Sequence, residues 1–143
     1  MTTETKITQI RHAGLNARGE DHQVVTVTGG SCGYRRQPCA KCPWRVDAVG
    51  EFPADAFRHS ARTAYDMAQE QFSCHDSGTS KPATCAGFLL RGADHNLSVR
   101  MQLIKGKTYE VQDGGHALHE NYRAMAIANG VPADDPVLAP CRD

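Results

Sequence analysis

The sequence has few aromatic residues, no excess of either charge and no long apolar run. Aromatic side chains make up 6% of the 143 residues and apolar side chains 40%, so we expect a thin hydrophobic core for this length. The formal net charge is +0, which gives no overall basic field to attract nucleic acid. No apolar run approaches the roughly 18 residues that a membrane-spanning helix needs. A bound metal ion that cross-links the chain would compensate for so thin a core.

A secretory signal is also missing. Residues 1–6 do not combine a basic segment with a following apolar stretch, which predicts a cytosolic protein. Structural disulfides are rare in the cytosol, so the six cysteines need another explanation. Metal ligation or catalysis is the leading one.

The N-terminal part of the chain differs from the rest in its pattern. Residues 1–23 are polar and aperiodic, which predicts a flexible arm with at most a short strand at Ile7–Ile10. The β-branched run 24–28 predicts a strand. We therefore expect residues 24–143 to form a single metal-binding domain.

Helical spacing of apolar residues dominates the remainder. Together with Pro53 at the first helix and Gly130 after the last, it predicts helices over residues 53–70, 85–94 and 117–129. Residues 97–104 fit a helix or a strand, and we favour the helix. The expected fold is an α-rich α+β domain whose long loops are tied together by one metal site.

Four cysteines in polar loops are the strongest chemical signal. Cys39 and Cys42 form a C-x-x-C turn, whose spacing lets two thiolates face one ion, and Cys74 and Cys85 follow in a second loop. The predicted helix between them would be about 25 Å long at 1.5 Å per residue, so the chain must fold back to bring the loops together. His75 is a possible replacement for one cysteine. Cys141 is a possible further ligand, and Cys32 has no assigned role.

Four sulfur ligands suit either of two metal centres. Tetrahedral Zn²⁺ is our first expectation, and a [4Fe-4S] cluster is the alternative. A redox C-x-x-C would need a surrounding βαβ pattern, and none flanks Cys39. Buried structural cysteines are the remaining interpretation, but polar loops do not resemble core positions.

A basic, partly aromatic stretch surrounds the first cysteine pair. Arg35, Arg36, Trp44 and Arg45 form a candidate binding surface that would contact phosphates or bases. The competing interpretation is a solvated loop whose Trp44 packs on the metal site. Because the net charge is zero, we expect a protein partner more than a nucleic acid.

Three cysteine-containing motifs resemble an uncharacterised family of small phage- and prophage-associated proteins. They are the segments Pro38–Arg45, Phe72–His75 and Cys85–Gly87, and the C-terminal stretch 121–142 is similar as well. The resemblance implies that Cys39, Cys42, Cys74 and Cys85 are the family's four-cysteine set in a protein of the bacterial cytosol. It implies no established activity.

The expected function is therefore that of a binding module. A closed four-cysteine centre would be structural and would present a surface to a host or phage macromolecule. The alternative is an iron–sulfur or open-site zinc protein with redox or enzymatic activity. No motif identifies catalytic residues, so the sequence leans away from an enzyme without excluding one.

Overall fold

The computed structural model describes residues 6–28, 33–73 and 83–142. Two strands come first, β1 (Lys6–Leu15) and β2 (Asp21–Thr28), and they form a two-stranded antiparallel sheet. The α-helices follow as α1 (Ala54–Ser60), α2 (Ala86–Arg91), α3 (Leu97–Ile104) and α4 (Tyr122–Ala128). The predicted small single domain of the α+β class is confirmed at this level.

The N-terminal hairpin replaces most of the predicted arm. Residues 6–23 belong to β1, its turn and the start of β2, and the register runs from Lys6 opposite Thr28 to Leu15 opposite Asp21. The strand predicted over 24–28 is the second half of β2. The sequence suggests only a short strand at Ile7–Ile10 within β1, because polar residues interrupt the apolar positions and the strand depends on pairing with its partner.

Helix α1 is much shorter than the predicted helix over 53–70. It ends at Ser60 and continues as a 3₁₀ turn over Ala61–Ala64. Tyr65 then becomes extended and pairs with Cys141, while the Arg142 N–H donates to the Ala64 carbonyl at 2.8 Å. Pairing with the C-terminus therefore overrides the local helical pattern, and the 25 Å spacer expected between the cysteine loops does not exist.

The other helices match their predictions more closely. α3 confirms the helix favoured over 97–104, and the Asn96 side chain caps it by accepting from the Val99 N–H at 3.1 Å. α4 begins later than predicted, because residues 117–119 are extended alongside 44–46 and Asn121 caps the helix. Gly130 ends α4 at a φ of +105°, as predicted.

The core centres on the indole of Trp44, which is fully buried. Phe72 and Tyr122 meet its ring edge to face, each with a centroid distance of 5.9 Å, and Phe88 lies 6.4 Å away. The Tyr122 hydroxyl donates to the Phe57 carbonyl at 2.6 Å. Four of the nine aromatic residues are thus grouped at one point, next to the cysteines described below.

None of the helices in the described ranges has both the length and the apolar character that crossing a bilayer requires.

Candidate metal centre

Three of the cysteines lie together in the interior. The Cys42 and Cys85 sulfurs are 3.5 Å apart although 43 positions separate the residues, and the Cys42 thiol also hydrogen-bonds with the Cys39 thiol. All three side chains are buried, with Cys42 entirely inaccessible. They are thiols and not disulfides. The structure therefore brings together two loops that the sequence places far apart.

A junction at Thr84 makes this convergence possible. Thr84 pairs on one side with Tyr34 and on the other with Ser73. The Arg35 N–H donates to the Thr84 carbonyl at 2.9 Å, and the Cys85 N–H donates to the Phe72 carbonyl at 2.8 Å. Three extended segments thus run side by side, and the chain enters α2 directly from them.

The C-x-x-C segment is a tight turn. The Cys42 N–H donates to the Cys39 carbonyl at 3.1 Å, which places the two thiols on the same side. The Arg45 guanidinium spans the turn from outside and donates to the carbonyls of Cys39 at 3.3 Å and Ala40 at 3.1 Å. Asp47 fixes that guanidinium at 2.6 and 2.8 Å, and its pairing raises the pKa of Arg45.

The sulfur separation agrees with two ligands of one tetrahedral ion. Zn–S bonds of about 2.3 Å at the tetrahedral angle place two sulfurs roughly 3.8 Å apart, whereas a disulfide requires about 2.05 Å. Within residues 6–28, 33–73 and 83–142, however, no group of three or more His, Cys, Asp or Glu side chains has the geometry to hold a metal ion. The described residues therefore do not form a metal site by themselves.

The crowded environment of Cys42 raises the pKa of its thiol. A hydrogen bond with the Cys39 thiol lowers the pKa of Cys42, but the bond with Cys85, burial and the charge of Cys85 outweigh it and raise the pKa to about 12. Without a cation the Cys42 thiol therefore stays protonated at neutral pH. A bound divalent ion would reverse the preference, because it stabilises thiolates directly.

The remaining predicted ligands are Cys74, His75 and Cys141. Cys74 and His75 fall outside the described residues, as does Cys32. Cys141 is buried in a separate part of the core, where its sulfur is 3.9 Å from the Ala61 carbonyl and 4.0 Å from the Val137 carbonyl.

The segment that carries these cysteines matches a known protein family. A model described as a family of unknown function, DUF6283, matches residues 34–142. The chain belongs to the DUF6283 family. The match includes Cys39, Cys42 and Cys85 and leaves out the hairpin and Cys32. Neither the curated proteins nor the solved structures that were compared with the chain gave a match.

Within the DUF6283 segment, two of the four residues of the predicted binding surface are mostly buried. Trp44 is fully buried, and the Arg45 side chain is only 13% exposed because it braces the cysteine turn. In this structure Trp44 is closed off from a partner and Arg45 nearly so, and the binding surface itself stays a prediction. Arg35 and Arg36 are exposed, and Arg36 pairs with Glu110 at 3.1 Å.

Two glycines that the sequence analysis passed over shape the same region of the DUF6283 segment. A Cβ built on Gly87 would lie 2.4 Å from the Trp44 Cβ, and one on Gly92 would lie 2.6 Å from the Trp44 Cη2. The indole therefore lies flat along α2, and side chains at these positions would displace it. Glycines inside or directly after a helical pattern were the available signal for such a close approach.

Proposed function

We propose that this chain binds one Zn²⁺ ion through Cys39, Cys42, Cys74 and Cys85, and that the centre is structural. The supporting observation is the 3.5 Å distance between the Cys42 and Cys85 sulfurs, next to the Cys39 thiol. The ion would fasten the C-x-x-C turn to the start of α2. The folded domain would then serve as a binding module for a host or phage macromolecule in the bacterial cytosol, as the phage-type resemblance implies.

Chain connectivity supports Cys74 as the fourth ligand. Cys74 directly follows Ser73, and Ser73 pairs with Thr84, which directly precedes Cys85. Cys74 and Cys85 are therefore the chain neighbours of the two residues of one bridge. The Cys141 thiol has the Ala61 and Val137 carbonyls as its neighbours instead.

The burial of the three cysteines favours a structural centre over a catalytic one. A catalytic zinc keeps an open position for water or substrate, whereas structural zinc is closed by four protein ligands. Cys39, Cys42 and Cys85 are 7%, 0% and 2% exposed, which leaves little access for a substrate on their side. Two sulfurs within 3.5 Å also favour one shared ion over a [4Fe-4S] cluster, whose cysteines bind separate irons.

Metal analysis of the full chain, purified without oxygen, tests this proposal. We expect one zinc per chain and no visible absorption. Cys42→Ser and Cys74→Ser should each lose the zinc and melt at a much lower temperature, because binding energy is folding energy in such sites. Cys141→Ser is the matched control, since it removes a buried thiol outside the cluster and should retain the zinc.

Two results would overturn the proposal. Stoichiometric iron with strong visible absorption would establish the iron–sulfur alternative. Zinc content and melting temperature that stay unchanged in both Cys42→Ser and Cys74→Ser would show that the thiols are packing residues.

A further inference from the structure

A groove of about 300 Å³ lies between α2, α3 and the segment 109–111. Its walls are mostly apolar, with Leu90 from α2, Val99 and Leu103 from α3, and Tyr109 and Val111 from the following segment. The groove is separate from the cysteine cluster, although both are built partly on α2.

Apolar side chains are concentrated around this groove. Leu90 is 37% exposed and Leu103 is 50% exposed, both in its walls, while Met101 and Ile104 on the same helix are 44% and 77% exposed. Four of the ten exposed large apolar side chains in the described ranges therefore lie on two short helices. A helix that is apolar on several sides is normally covered, and a contiguous apolar patch marks an interaction site.

The charges around the groove are mainly positive. Arg100 lines it, Arg91 follows Leu90 at the end of α2, and Lys105 follows Ile104 at the end of α3. All three are exposed, and no carboxylate in the described part of the chain pairs with them. Asp94 is the acidic residue of the lining. This charge pattern complements a partner that carries carboxylates beside its apolar side chains.

Nucleic acid fits this surface less well than a protein. Base stacking needs open aromatic faces. The Lys107 ammonium lies over the rings of Tyr34 and Tyr109, at 5.5 and 5.1 Å from their centroids. The remaining walls are aliphatic and suit leucine-like side chains.

We propose that this groove binds an acidic amphipathic segment of a partner protein, as a short helix with its apolar face in the groove. Such helices place apolar anchors at positions i, i+3, i+4 and i+7. The inference rests on the binding-module role proposed above, and it does not depend on which metal is bound.

The test uses the full chain and two synthetic helical peptides with the same leucine face. One peptide carries glutamate at its polar positions and the other lysine, and binding is measured by fluorescence polarisation. We expect the glutamate peptide to bind at least about tenfold more tightly. Leu103→Ser should abolish that binding, and Arg100→Glu should remove or reverse the preference. Ile127→Ser is the matched control, because Ile127 is an exposed apolar residue on α4.

Several outcomes would overturn the inference. They are equal binding of both peptides, binding to neither, and binding that survives Leu103→Ser in a variant with unchanged melting temperature. Binding of anionic vesicles or of single-stranded DNA that Leu103→Ser abolishes would assign the groove to another class of partner. Zinc is measured on the same samples, so peptide binding by a zinc-free chain would refute the metal proposal and leave this one intact.

Discussion

The hairpin and the cysteine-bearing region differ in how much side chain they bury. Among hairpin residues 9–24, Ala13 is the buried one, while Ile10 and Leu15 are 50% and 63% exposed. Around the cysteines, Cys42 and Trp44 are fully inaccessible. A two-stranded hairpin is marginal by itself, so this one depends on the domain it packs against.

The hairpin packs mainly against α1 and the segment before it, and its Ala13 and Val24 contact the core. It reaches the segment before α1 through the Ala17 N–H, which donates to the Glu51 carbonyl at 3.0 Å, and through His22, whose ring lies 5.1 Å from that of Phe52. The family match begins at residue 34, after the hairpin. From this difference we expect residues around Trp44 and the thiols to contribute more to the stability of the domain than the hairpin does.

Among variants that compare the cysteine-bearing region with the hairpin, Trp44→Ala should lose the most stability. Removing a fully buried indole should lower the free energy of unfolding by about 3–5 kcal/mol. Leu15→Ala in the hairpin should change it by less than about 0.5 kcal/mol, because that side chain is exposed. Urea denaturation of both variants measures the difference. Similar losses would show that the two regions contribute equally.

A smaller loss of stability is expected from substituting Gly87 or Gly92, which pack against the indole of Trp44. Gly87→Ala and Gly92→Ala should each cost about 1–3 kcal/mol through overpacking. In a Trp44→Ala background the cost at Gly92 should disappear, because the Cη2 atom it meets is gone. The cost at Gly87 should persist there, because alanine at position 44 retains the Cβ.

The same urea experiments on the double variants complete this cycle. Equal behaviour of the two glycines in both backgrounds would contradict the flat packing of the indole on α2.

An effect similar in size to that of the glycine variants should come from shortening the chain to begin at Gly33. We expect the shortened chain to fold, to keep its metal content and to lose about 2 kcal/mol, mainly from exposing Phe52. Circular dichroism and metal analysis of the purified fragment measure this. Loss of folding would show that the hairpin belongs to the same cooperative unit as the cysteine region.

Local signals made parts of this structure predictable. The Asn96 and Asn121 caps and the left-handed Gly130 are encoded within a few residues of the helices they bound. The grouping of Cys39 with Cys42 follows from their spacing. Cys85 joined them as expected, but by a different route, since the long helix between the loops is absent.

Pairings between distant segments could not be read from the sequence. β1 is defined by its partner strand, and the extended residues 117–119 are defined by their bonds to residues 44–46. Arg45 looked like a surface cation, yet its position over the Cys39 carbonyl depends on Asp47 and on the turn itself. The sequence shows which contacts a residue type can make, whereas the tertiary fold determines which residues become its partners.

The pairing of Ser73 with Thr84 closes the intervening stretch of chain at its base. For such a closed loop, doubling its length costs only about 0.6 kcal/mol in chain entropy. Residues inserted after His75 would therefore leave the rest of the domain in place. A tag or a reporter peptide is therefore best introduced in this stretch.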